Sequence, residues 1–413
     1  MIRLSCFLAL LLSTSSCGND TTSEKTPPIV IVDTGTDTQP LIDMGDDTIA
    51  PADMKGDTST PDMNEEIGEI IYEQKGLVIT NGQSSLFDFD VPEDTQSVSI
   101  MISGKESQFY VLSSWKNGDR TDLVPEGWAR SSPVGPSLCL SCPNRVSGTE
   151  AVSVGYAPNN QDVEVKKGTH TASVFGYIQN GFQLGILQSG QVDIIVLAHR
   201  YVETPFARLA LNFHFTGANG LTAESAKTNV DFQTEVDKLK DIYSQAKIEI
   251  DQVSYIDIDS SYQIVENIIA PDSDLQKMFK LGVASAPKGV NVFFVDELLL
   301  QGPGGGFGIL LGVSGGIPGP IVSGTARSGV AIAMKSNPGL PSTPGFVMAH
   351  EIGHHLGLFH TSEQAQGGSP RVHDQISDTP EGDPSLLMYF AGQGRTLSAN
   401  QIKVMRNNPR LRY

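Results

Sequence analysis

The sequence predicts an α+β protein: a mixed, twisted sheet with a histidine-bearing helix over residues 203–413, preceded by a β-sandwich-like part over residues 67–202. Three observations carry this. Residues 67–202 break into short alternating apolar/polar runs between turn clusters, with no long segment of 3.6-residue period. From Phe206 onward, strand-like runs and helical spacings interleave. Four of the chain's eight histidines then fall in the eleven residues His350–His360, HEIGHHLGLFH.

At 413 residues the chain is long enough for two folded parts and tails. Its start is not expected to fold. Arg3, the apolar run Leu4–Leu12 and the small residues Ser13–Ser16 have the order of an export signal over residues 1–16. Cys17 follows directly, and this arrangement resembles a bacterial lipoprotein signal, although Thr14 stands where leucine is usual. The resemblance implies lipid attachment at Cys17 and a place in the bacterial cell envelope or outer membrane. Ordinary cleavage without lipid would make the protein secreted. Residues 18–66 hold twelve acidic and two basic side chains and no aromatic residue, a net −10 of the chain's −19. Such a segment cannot bury enough apolar surface to fold, so residues 17–66 are read as an extended acidic Asp/Thr-rich stalk. A net charge of −19 also argues against nucleic acid as a partner.

In the β-rich part the expected strands include Leu86–Val91, Val98–Ile102, Gln108–Leu112, Thr171–Phe175 and Val192–Leu197. Whether this part is a permanent accessory domain or a pro-domain stays open at the level of sequence. Cys139 and Cys142 lack the second pair that a structural zinc ribbon needs, so a local disulfide is expected in an oxidising compartment.

In the mixed part, Arg208–Phe215, Ile248–Ile258, Val290–Val295 and Val330–Met334 read as strands. Thr222–Ala246 reads as one helix, capped by Thr222, with Val230, Val236, Leu239, Ile242 and Tyr243 inward. The Gly/Pro-rich stretch Gly302–Gly324 is read either as a cleft-lining edge strand or as a surface loop. His214 is expected to be structural, and His373 to be solvated or to touch a substrate.

Thr343 and Pro344 mark the start of a helix that runs through His350. Residues four apart share a helix face, so His350 and His354 can reach one ion, with Glu351 beside them. His355 lies about 100° further round and belongs to another face, packed or solvent-facing. Gly357 permits a left-handed turn, after which His360 can return as a third ligand. Chance occurrence of the whole pattern is on the order of 10⁻⁵ per chain of this length.

The pattern His350-Glu351-x-x-His354-x-x-Gly357-x-x-His360 resembles the metzincin zinc metalloproteases. The pappalysin-like branch is the first match and the matrixins the second. The resemblance covers roughly Phe206–Tyr413 and implies a zincin-like catalytic domain with one catalytic Zn²⁺ on His350, His354 and His360. It implies a methionine turn at Met388, within Ser385–Tyr389, and a closing helix capped by Ser398 with Ile402 and Met405 inward. The implied activity is hydrolysis of peptide bonds in extracellular proteins by a metal-activated water, with Glu351 as general base. The alternative is a surface adhesin or binding lipoprotein whose metzincin-like domain does not cleave. Protein or peptide substrates are the expected partners, and contact with a membrane is expected through the N-terminal lipid alone.

Overall fold

The computed structural model describes residues 68–413 except 132–136, 181–182, 201–203, 267, 269–272, 283–288, 302–306, 336–342, 364–371 and 391–393. The export signal, the stalk and Cys17 lie outside the described residues.

The β-rich part forms one antiparallel sheet of eleven strands. Along it run Val152–Ala157, Thr95–Gly104, Ser189–Arg200 and Glu69–Thr80, then Gln83–Ser84, Gly168–Asn180, Phe109–Lys116 and Asp122–Val124. The sheet folds over, so that Ile100, Ile102 and Ile194 from one half share a buried core with Val111, Leu112 and Val174 from the other. The expected β-rich character is present, as one continuous sheet where a sandwich would have two. All five expected strands are present, and Glu69–Thr80, which was not foreseen, pairs with Ser189–Arg200. Its sequence EIIYEQKGLVIT lacks clean alternation because the pairing register shifts twice along it. Cys139 and Cys142 form a disulfide.

The mixed part is built on a five-stranded sheet, ordered Ile248–Asp257, Ala207–Phe215, Val290–Val295, Val330–Ala333 and Gly312–Ser314. The first four are parallel and the last is antiparallel. Phe213, Phe215 and Phe294 turn to one face, where they meet Phe232 of the helix Val230–Ser244 at ring-centroid separations of 5.1–5.8 Å.

The single helix expected over Thr222–Ala246 is in fact two. Thr222 caps a four-residue helix Ala223–Ala226 through a capping box with Ser225. Asn229 then caps Val230–Ser244 by accepting from the Phe232 N–H. In it Phe232, Val236, Leu239, Ile242 and Tyr243 are buried, while Val230, its first residue, is 77% exposed rather than inward.

The site helix is Pro344–His355, and every residue from Gly345 to His355 is buried. A helix covered on all sides is a core element, which fits its apolar composition apart from the residues of the site. Thr343 holds the N-cap position, but its side chain makes no capping bond; its Oγ1 accepts from Lys238 Nζ instead. The closing helix is Ala399–Arg406, with the expected Ser398 cap in a capping box with Gln401. Met405 is fully buried, and Ile402 is half-buried against the same core. Among the described residues no helix is long and apolar enough to cross a membrane.

Candidate metal centre

The site helix ends in a Schellman motif. Gly357 takes φ +105°, its N–H bonds to His354 O at 2.9 Å, and Leu358 N–H bonds to Gly353 O at 3.0 Å. A side chain at 357 would be strained by that φ and would also press on the Tyr156 ring, 2.9 Å from the added Cβ. The turn reverses the chain and brings His360 back to the helix.

His350, His354 and His360 come together with Nε2–Nε2 separations of 3.1, 3.3 and 3.3 Å. All three are buried. Three nitrogens about 2.0–2.1 Å from one tetrahedral ion stand about 3.3–3.4 Å apart, so the triangle has the size a zinc ion needs. The far ring nitrogens settle the tautomers. His350 Nδ1 donates to Leu387 O at 2.7 Å, and His354 Nδ1 donates to Leu358 O at 2.6 Å. His360 Nδ1 faces Glu363 Oε2 at 3.3 Å. With each Nδ1–H directed at an oxygen, three Nε2 lone pairs converge on one buried point. That arrangement is repulsive unless a cation fills it. Burial pushes the His354 imidazole down to about 3, which keeps it neutral and able to ligate. These residues therefore fit a metal ion.

Glu351 is 6% exposed and packs beneath the edge strand. A Cβ added at Gly312 would lie 2.7 Å from Glu351 Cγ, 2.9 Å from Oε1 and 2.6 Å from Val347 Cγ1. The Gly-rich stretch thus supplies the antiparallel edge strand Gly312–Ser314, and Gly312 is the place where its backbone meets the glutamate. Gly312→Ala is expected to displace the Glu351 carboxylate, which a crystal structure of the variant would show; an unmoved carboxylate would mean that this contact does not set it.

Met388 is fully buried, with its sulfur under the helix at Gly353, 2.9 Å from where a Cβ there would stand. Its carbonyl accepts from the Thr361 N–H, next to His360, at 3.0 Å. The turn it belongs to also supplies the Leu387 oxygen that holds His350.

His355 is buried, not solvent-facing. It packs against Gly319, and among the described residues neither ring nitrogen has a hydrogen-bond partner. Burial, with Arg410 nearby, lowers it to about 3. His214 is structural, as expected: it stacks on Phe293 at 4.4 Å and pairs with Asn291. His373 lies in the short hairpin Ser362–Glu363/Val372–His373, between Ser362 Oγ and Thr379 O. Sequence reasoning missed Glu363, Gly312 and the two carbonyl acceptors. Glu363, three residues after His360, left a trace in the sequence; carbonyls carry no residue signature at all.

No family model matches the chain. Over 94 residues, 22% of its length, it is 35% identical to "Extracellular metalloprotease 1" of Coccidioides posadasii. That stretch spans 30% of the relative's length. Among solved structures, metalloproteinase-II from Bacteroides fragilis is similar over 52% of this chain and 62% of that one, at 12% identity and a TM-score of 0.30. A chain of a chaperone–substrate complex is similar over 57% and 36%, at 12% identity and a TM-score of 0.26. Both structural likenesses are too distant to bear on the fold. The sequence likeness is to a metalloprotease, and the histidine group could hold a metal ion.

Proposed function

We propose that the protein is a zinc-dependent endopeptidase of metzincin type that hydrolyses peptide bonds of extracellular proteins. The observation that carries this reading is the buried triangle of Nε2 atoms at 3.1–3.3 Å, each ring held by an oxygen at its Nδ1, beside a buried glutamate. His350, His354 and His360 would hold the ion, which when bound supplies Lewis acidity and lowers the pKa of water towards neutrality. Glu351 takes the proton of the attacking water on a carboxylate oxygen and returns it to the leaving amine. An extended peptide would lie across the metal centre alongside Gly312–Ser314, the last strand of the sheet. A zincin-like catalytic domain over 203–413 and a β-rich unit over 67–202 form the folded body. The experiment is zinc content together with chelator-sensitive cleavage of casein or a peptide library. One zinc per chain without cleavage would favour the adhesin reading, and no zinc would refute the peptidase reading.

We also propose that the protein belongs to the bacterial cell envelope, with residues 1–16 directing export and a lipid attached at Cys17. Palmitate is expected to label the parent chain and not Cys17→Ser; an unlabelled parent would make the protein secreted.

A further inference from the structure

We propose that Arg145 is a positioning residue of the metal centre, and that the β-rich unit which carries it is a permanent part of the working protein. This rests on the reading of His350, His354 and His360 as metal ligands.

Arg145 belongs to the β-rich unit, three residues after Cys142, yet its guanidinium lies in the other half of the molecule. It is 3% exposed. Its Nη2 donates to His373 O at 2.6 Å, and its Cζ stands 6.0 Å from the centre of the Phe359 ring. Phe359 immediately precedes His360, and His373 pairs across the short hairpin with Ser362. One side chain therefore grips the chain on both sides of the third histidine. Its charge is balanced by Glu363 and Asp374. Glu363 in turn faces His360 Nδ1. The path runs from Arg145 to Glu363 and from Glu363 to the ring that must ligate.

The surroundings of Arg145 are fastened in the same way. Gln375 Nε2 donates to Cys142 O at 2.8 Å, and Gln161 Nε2 donates to Gln375 O at 2.9 Å. Tyr156 lies under Gly357 and donates to Val404 O at 2.8 Å. This unit holds the metal-bearing turn through Arg145 and Tyr156. Its departure would leave Glu363 and Asp374 without their arginine and Gly357 without its floor.

The test uses the full chain, with zinc affinity measured by chelator competition and the ligand field read from the visible spectrum of the cobalt-substituted protein. Partners of metal ligands commonly contribute about 10–100-fold to affinity. Arg145→Gln is expected to weaken zinc binding about tenfold and to alter the cobalt bands, with Arg145→Lys affected less. Glu363→Gln should weaken binding as well. In the Glu363→Gln background, Arg145→Gln should add little, because the two act along one path. Unchanged zinc affinity and cobalt bands in folded Arg145→Gln would overturn the proposal. So would full additivity with Glu363→Gln, which would make the arginine's effect a general one. Should Arg145→Gln not fold, Arg145→Lys carries the test: a few-fold weakening supports the proposal and none overturns it. A zinc-binding form from cells that begins near residue 203 would also overturn it. If the parent chain takes up no zinc, the metal-site reading itself fails; if parent and variants bind it equally, the role of Arg145 alone fails.

Discussion

Glu351→Gln should leave zinc content at the parent level and lower kcat for peptide hydrolysis by about 10²–10⁴-fold, the range in which a positioned general base contributes. The amide has the size of the carboxylate, so it fits the same space beneath Gly312 and beside Val347. It ligates nothing in the histidine triangle, whose three nitrogens come from other residues. What it cannot do is accept a proton from water. The loss should therefore fall on kcat more than on KM. Zinc analysis and steady-state kinetics on a fluorogenic peptide check this, and near-parent turnover in the zinc-loaded variant would move the proton to another group.

His354→Ala should abolish tight zinc binding together with the stability that zinc confers. His354 is the most enclosed of the three ligands, with 0% exposure. It stands 3.1 Å and 3.3 Å from its two partners, and its Nδ1 is engaged by the turn that follows it. Zinc at about 100 times its dissociation constant should stabilise the parent by about 2.7 kcal/mol, because a ligand that binds the folded state alone shifts the equilibrium by mass action. The reading is the rise in unfolding midpoint on adding zinc. This separates ligation from the cavity that the alanine leaves, which shifts the variant's midpoint with or without metal. A full zinc-induced rise in His354→Ala would place the ion elsewhere.

The parts of the site that could be read from the sequence are those whose geometry is local. His350 and His354 share a face because an α-helix brings residues four apart together, and Gly357 permits the reversal towards His360. Met388 was found through its distance along the chain from the third histidine, and it does lie buried under the helix. Local reasoning erred where two local signals competed. Asn229 caps a new helix whose first residue, Val230, faces solvent, although Thr222 also carries a sound cap. For His355 the helix geometry correctly gave a different face. Whether that face met water or protein depended on Gly319, 36 residues earlier, and Arg410, 55 residues later.

The remaining features join distant stretches of chain. The Leu387 oxygen reaches His350 from 37 residues away, and the Arg145 guanidinium reaches His373 from 228 residues away. Gly312 meets Glu351 because an antiparallel strand closes the edge of a parallel sheet. The sequence by itself determined the histidine triad, the glutamate beside it and the turn that closes the triad, since helical periodicity and a left-handed glycine act within a few residues. Only the tertiary structure decided what orients each imidazole, what presses on Glu351 and which half of the molecule holds the third histidine. Backbone oxygens, close backbone approaches and buried charge balance come into being when remote segments pack, and residue identity does not encode that packing locally.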